Sequence, residues 1–283
     1  MSAVRPWVSL LRFEEYGPPF LLCGVAGALF AGLGSPVPLV GLLCFIGTFS
    51  ASAFVLNDIA DWKDDSSGPS PRNPIARGAL SRSSAAALFL VLAAVSLGSL
   101  ALVGPPALYA APFVYALYWG YSWGPQFKAR AGVDVVVHGA VPGLFVFMGG
   151  ALSASPTAGT ALLSGVVFCM AAMSGVLQGV RDMGKDAGSR RTTALALGQG
   201  RSADLALLLV GSGVALYVAA VAGGYLPPGM AVLLPGAWFL VSPLLRLRAG
   251  DEGAGEVIRM MRFRGLLLAL GAVTLYVLWA RPG

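Results

Sequence analysis

The sequence predicts an all-α, polytopic membrane bundle: nine transmembrane helices in one domain over residues 1–283, pseudo-duplicated four plus four with one extra helix. Three observations predict it. Of the 283 residues 57% are hydrophobic and 11% charged, with a mean hydropathy of +0.76, whereas a soluble domain carries roughly 25% charged residues. Nine apolar stretches approach the ~20 residues that cross a hydrocarbon core of roughly 30 Å. Short Gly/Pro/Ser breaks alternate with longer charged ones, as turn chemistry requires of consecutive spans.

The first span, 14–34, starts at Glu14 and Glu15. It is long and lacks a convincing small-residue cleavage site, so it is read as retained and not as a signal peptide. After the break "GSPVP" the second span, 37–60, runs into the acidic stretch "NDIADWKDD", residues 57–65. Spans three and four, 84–103 and 106–125, are parted by "GPP"; five and six, 133–152 and 158–181, by "SASPT". Seven and eight, 203–223 and 228–246, are parted by "GGYLPPG", and the ninth covers 263–281.

Of the 19 Lys and Arg, 18 fall at the N-terminus or in the loops after spans two, four, six and eight. Only Arg281 lies elsewhere. Because Lys and Arg are retained on the cytoplasmic face, the N-terminus and these loops are expected inside and the C-terminus outside. All 13 acidic residues share that face, so the chemistry is expected there too. The net charge of +6 is spread over membrane-flanking loops, which argues against nucleic acid as a partner. Cys23, Cys44 and Cys169 sit inside apolar spans without CxxC spacing and read as small apolar fillers. With His138 as the only histidine, a zinc centre rich in His is excluded. Any metal is expected on oxygen ligands.

Positions 57 or 58, 61 and 65 are three or four apart, so a helix continuing from span two stacks their carboxylates on one face. Like charges at that spacing repel unless a cation sits among them, and hard oxygen donors select Mg²⁺ or Ca²⁺. A second run, "QGVRDMGKD" (178–186), closes span six in the same way. An offset of 121 aligns Asn57 with Gln178, Asp61 with Asp182 and Asp65 with Asp186, while Asp58 meets Gly179. The same offset relates spans one to four with five to eight, and in such repeats the two acidic mouths are expected to face one cavity.

Mg²⁺ prefers one or two carboxylates completed by water and substrate phosphates, which points to a phosphorylated substrate bridged by metal. Basic candidates for the phosphates are Arg72, Arg77, Lys128, Arg181, Lys185, Arg190 and Arg191. Each also has a plain topological reading, since loops on this side are basic anyway. A phosphate group held at the mouth of an apolar bundle implies a tail that prefers hydrocarbon, and a prenyl diphosphate satisfies both halves.

These residues resemble a known family. "NDIADWKDD" is similar to an NDxxDxxxD motif and "DMGKD" to a DxxxD motif, with "NPIARGALS" and "RRTTALALG" following them and "YSWGPQFK" as a weaker Tyr/Lys loop. Together they are similar to the UbiA superfamily of intramembrane prenyltransferases over most of the chain. The resemblance implies nine transmembrane helices, Mg²⁺-dependent loss of diphosphate from a prenyl donor, and attack by an aromatic or lipid acceptor on the allylic cation. It also implies that Asn57, Asp58, Asp61 and Asp65 hold one metal ion and Asp182 and Asp186 another, with Arg72, Lys128 and Arg191 on the diphosphate. Gly179 departs from the pattern, standing where many members have a further Asp. The stretch "DSSGPSPRNP" is also poorer in basic residues than is usual.

Around the cytoplasmic end of span four stand Tyr115, Tyr118, Trp119, Tyr121 and Trp123. Two readings are open: an interfacial aromatic belt, or faces that steady a carbocation, with Tyr118 and Tyr121 the substrate candidates. Asp134 and His138, spaced i, i+4 at the start of span five, either orient an acceptor or form a structural pair. Two further functions are weighed. A membrane terpene cyclase would use the same site without an acceptor. A divalent-cation transporter would need a second gate, and the other face shows no charge before Arg281.

Overall fold

The structure, a computed structural model, describes residues 4–32, 35–66, 72–152, 157–188 and 190–279. Among these there are no strands. The chain divides into two compact units, Met1–Pro125 with Met148–Ser155, and Gln126–Phe147 with Pro156–Gly283.

In the first unit, α1 (Arg5–Leu11) is short and α2 (Phe13–Phe30) follows at once. The break is Arg12, whose backbone is left-handed (φ 48°, ψ 24°), a conformation that costs a non-glycine residue energy unless neighbours hold it. Helix α3 (Pro36–Ala60) starts where the Ser35 hydroxyl accepts the Val37 N–H at 3.4 Å and Pro36 occupies the first position, a standard pairing for a helix start. Then come α4 (Trp62–Ser66), α5 (Arg82–Ser99, capped by Ser81 and extended by a 3₁₀ turn over Leu100–Leu102), α6 (Pro105–Leu108) and α7 (Ala111–Ser122). Helix α3 is the axis of this unit and packs against α1, α2, α5 and α7. Its buried Phe45, Phe49, Leu42, Ile46 and Val55 form the centre. Helix α1 is docked by Leu10, which is fully buried with Val55, Ile75 and Ala85.

In the second unit, α8 (Val133–Gly150, counted here to Phe147) leads to α9 (Ala158–Asp186), α10 (Thr193–Ala222), a 3₁₀ stretch (Pro228–Gly236), α11 (Ala237–Ala249) and α12 (Ala254–Trp279). Thr157 and Thr192 cap α9 and α10 through their hydroxyls. Helix α10 is interrupted at Gly198 (φ 74°, ψ 169°), a region open in practice only to glycine. The core joins α9, α10, α11 and α12 through Leu177, Ala206, Val210, Leu244, Leu247 and Val257.

Among the described residues seven helices are long and apolar enough to cross a membrane: Pro36–Ala60, Arg82–Leu102, Val133–Gly150, Ala158–Asp186, Thr193–Ala222, Pro228–Ala249 and Ala254–Trp279. The chain is thus an integral, multi-pass membrane protein. The expected spans one and four are helical but shorter. Tyr16–Phe30 is the apolar part of α2. Span four splits into α6 and α7, because Pro105, Pro106 and Pro112 withhold the amide donors a continuous helix needs. Spans seven and nine start earlier than expected, at Thr193 and Ala254, since charged turns such as those of Arg201 and Arg259 extend helices beyond their apolar windows. Arg281 and residues 67–71 of "DSSGPSPRNP" lie outside the described residues.

Candidate active site

The first acidic run is not one unbroken helix, as its spacing suggested. Helix α3 ends at Ala60, and Asp61 takes the cap position (φ −88°, ψ 1°) with its N–H on the Asn57 carbonyl at 2.9 Å. Helix α4 then restarts, and the Asp65 N–H reaches the Asp61 carbonyl at 2.9 Å. The motif keeps a helical path but bends at its central carboxylate. Asp58 is fully buried, Asn57, Asp61 and Asp65 are half-buried, and Asp64 is exposed.

Three side chains hold this run in place. Asn73 donates through Nδ2 to the Asp58 carbonyl at 2.7 Å and to Asp65 Oδ2 at 3.1 Å, while its Oδ1 accepts the Ile75 N–H at 2.9 Å. From the end of α7, Ser122 donates to Asn57 Oδ1 at 3.1 Å. Arg12 forms an ion pair with Asp58 Oδ1 and also sits 5.9 Å from the Phe54 ring. Arg72 and Arg77, the expected phosphate contacts of this unit, are both exposed.

The two aromatic readings divide among the residues. Trp119 and Trp123 are 51% and 63% exposed, as belt residues are. Tyr115 and Tyr118 turn inward: Tyr118 stands edge-on to Phe49 at 5.5 Å and to Phe54 at 6.4 Å, with Tyr121 at 6.1 Å. Tyr115 meets Phe49 at 4.9 Å and donates its hydroxyl to Ser96 at 2.8 Å.

In the second unit, α9 runs without a break through Asp186, so Gln178, Arg181, Asp182, Lys185 and Asp186 share one helix end. Asp186 is buried and Asp182 half-buried, while Arg181 and Lys185 are exposed. Arg181 grips Asp182 with two bonds, 2.8 and 2.7 Å, and Arg190 approaches Asp186 at 3.5 Å. Lys128 is 7% exposed, in a turn entered through the left-handed Gln126 (φ 47°). The Arg191 N–H donates to the Ala129 carbonyl at 3.2 Å, which brings the Lys128 turn beside the basic segment after the second motif.

Asp134 and His138 do not pair with each other. Asp134 accepts the Thr193 N–H at 2.8 Å and the Thr193 hydroxyl, while Gly132 N–H donates to that same hydroxyl oxygen at 2.7 Å. His138 Nε2 instead lies 3.3 Å from Gln178 Nε2, and the Gln178 amide also reaches Ser174 Oγ at 3.3 Å. Asp134 therefore fastens the start of α10 to the start of α8. Thr193→Val keeps the backbone bond but removes both hydroxyl bonds, at an expected cost of about 1–3 kcal/mol, checked by equilibrium unfolding of the purified chain in mixed micelles; an unchanged midpoint would contradict it.

Sequence reasoning missed Arg12, Asn73, Ser122, Phe49, Phe54 and Thr193 as partners of the site. Asn73 had a signal, its place in "NPIARGALS"; Arg12 had only its charge.

Both motifs offer oxygen donors. Among the described residues no three His, Cys, Asp or Glu side chains converge as a closed metal cage. Asp58 Oδ2 is buried without a hydrogen-bond partner, which is costly for a carboxylate oxygen. This donor set fits a hard cation held by few carboxylates and completed by substrate oxygens and water.

A multi-pass helical membrane protein with two carboxylate motifs at helix ends, each flanked by basic side chains, is the class these observations define. The chain belongs to the UbiA prenyltransferase family, whose sequence profile matches residues 20–267. Among solved structures it is similar to a UbiA homolog from Aeropyrum pernix K1 in the apo state (TM-score 0.76, 20% identity, covering 94% of this chain and 99% of that one). It is similar to a UbiA homolog from Archaeoglobus fulgidus bound to GPP and Mg²⁺ (TM-score 0.75, 16% identity, 96% and 99% covered). A digeranylgeranylglyceryl phosphate synthase matches with a TM-score of 0.75 at 16% identity, covering 97% of this chain and 98% of that one. At these identities the likeness is one of fold. A search of curated proteins gives no match.

Proposed function

We propose that this protein is a magnesium-dependent intramembrane prenyltransferase. It moves an isoprenoid group from a prenyl diphosphate to an aromatic or lipid acceptor and releases diphosphate. The observation that carries this reading is the pair of acidic helix ends, each already engaged by an arginine: Arg12 on Asp58, and Arg181 on Asp182. Support also comes from the fold relative bound to GPP and Mg²⁺. Asn57, Asp58, Asp61 and Asp65 would hold one ion and Asp182 and Asp186 another. When bound, such ions offset the negative charge that builds on a departing diphosphate.

The chain's own groups do the rest. Arg72, Arg77, Lys128, Lys185, Arg190 and Arg191 supply positive charge for the diphosphate oxygens, with Arg suited to two-pronged contact and Lys to point charge. Arg12 and Asn73 hold Asp58 and Asp65 in place before substrate arrives, which lowers the reorganisation cost of the reaction. Tyr118, with Phe49 and Phe54, presents aromatic faces that shield an allylic cation from water and attract it. Gln178 and His138 form a polar pair for orienting an acceptor. The distribution of Lys and Arg favours a cytoplasmic N-terminus and site.

The test is product analysis with purified protein, Mg²⁺ and labelled diphosphates of several chain lengths, with and without a panel of hydrophobic acceptors. Transfer to an acceptor, lost on chelation, is the expected result. A cyclic hydrocarbon formed equally well without any acceptor would overturn it in favour of a cyclase.

A further inference from the structure

A cavity of about 290 Å³ opens in the first unit, lined by Arg5, Val8, Ser9, Arg12, Phe13, Glu14 and Arg72. Among the described lining residues Arg5, Arg12 and Arg72 outnumber the one carboxylate, Glu14, and Arg12 also pairs with Asp58 beyond the wall. Its rim is apolar: Val8 and Phe13 are 47% and 44% exposed, and Val4 beside them is 63% exposed. Among the described residues Arg5 makes no ion pair. The cavity is a built feature and not a chance gap, because Leu10 anchors α1 in the core and the left-handed Arg12 fixes the turn into α2.

From this geometry we infer that the cavity is a binding site for the phosphate of an anionic membrane lipid. Guanidinium groups with a serine hydroxyl match a phosphodiester, and exposed Val and Phe at the mouth match the first carbons of acyl chains. Basic and apolar side chains together on a short N-terminal helix are also the composition that favours a membrane surface. A metal-bound diphosphate is the poorer occupant. None of the motif carboxylates is among the described lining residues, where Glu14 is a single carboxylate, and a singly charged phosphodiester needs no metal. Arg72 is shared with the proposed diphosphate contacts, and Arg5 is the arginine that belongs to this cavity alone.

Arg12 gives the site a consequence. It lines the cavity and is also the ion-pair partner of Asp58, so lipid bound there touches the residue that steadies the first acidic motif.

The experiment is native mass spectrometry of the purified full chain with equal amounts of phosphatidylglycerol and phosphatidylcholine bearing the same acyl chains. Wild type is expected to retain phosphatidylglycerol about tenfold better, the effect of one charge-assisted contact. Arg5→Gln should bring the ratio near one, Arg5→Lys should keep most of it, and Arg259→Gln, an exposed arginine of the second unit, should leave it unchanged. The inference is overturned by no preference in wild type, by an unchanged ratio in Arg5→Gln, or by an equal loss in Arg259→Gln, which would mean diffuse attraction. Displacement of the lipid by an equal concentration of inorganic phosphate would reassign the cavity to a free anion. Displacement by geranyl diphosphate with Mg²⁺ would reassign it to the prenyl donor.

Discussion

Asp61→Asn and Asp182→Asn are each expected to lower diphosphate release from a prenyl donor by about a hundredfold or more, with the protein still folded. The reasoning is electrostatic. Ionising an allylic C–O bond piles charge onto the leaving group, and in a site sheltered from water each preorganised interaction that meets such charge is worth about 10²–10³ in rate. Asparagine keeps the size of aspartate but removes its negative charge, so the loss reports on charge and not on packing. Asp64→Asn is the internal control, because Asp64 lies in the same run yet is exposed. Steady-state release of labelled diphosphate, measured across a Mg²⁺ titration, reads the effect. If Asp182→Asn keeps a third of wild-type activity, the second motif is not part of the chemistry.

Gly149→Val is expected to be the most damaging single change to the first unit. A Cβ added at Gly149 would be driven into the Gly24 carbonyl oxygen and would approach the Ala28 nitrogen at 2.9 Å. Both are backbone atoms of a helix and cannot swing aside as a side-chain tip can. Close backbone approach through small residues is how helices associate in lipid, where there is no hydrophobic drive to bring them together. Overpacking such a contact costs about 1–3 kcal/mol for small additions, and valine adds two methyl groups beyond Cβ. Gly98→Ala makes the contrast, since a Cβ there meets nothing within 4 Å, and alanine favours a helix interior by about 1 kcal/mol. Unfolding in mixed micelles should place the two variants on opposite sides of wild type. Equal midpoints would mean the helix ends are looser than described.

What could be read from the amino acids divides along a physical line. Hydropathy and charge placement locate helices, because burial in lipid is a property of each segment on its own; α3 and α9 follow directly, whereas α10 and α12 start earlier than their apolar windows. The acidic runs were visible in the letters as well: one alone reads as a solvated helix end, and the second, 121 residues on, is what singled them out. What was not legible depends on partners distant in the chain. Arg12 looked like one more topological charge, and only folding brings it to Asp58, 46 residues away. The spacing of Asp134 and His138 invited a pair, but Thr193 offers both an N–H and a hydroxyl at a helix start and takes the carboxylate. The break of span four at its prolines was visible in the letters and lost in the average over a window.

The interruption at Gly198 separates two demands on α10. Its first turn is fastened by Thr193 to Asp134, whereas the lipid-facing length beyond the glycine must match whatever hydrocarbon thickness surrounds it, usually by changing tilt. A swivel at that point lets the outer segment lean while the fastened turn stays put. A bilayer of different thickness is then expected to change the tilt of the outer segment and leave the Thr193–Asp134 contact in place.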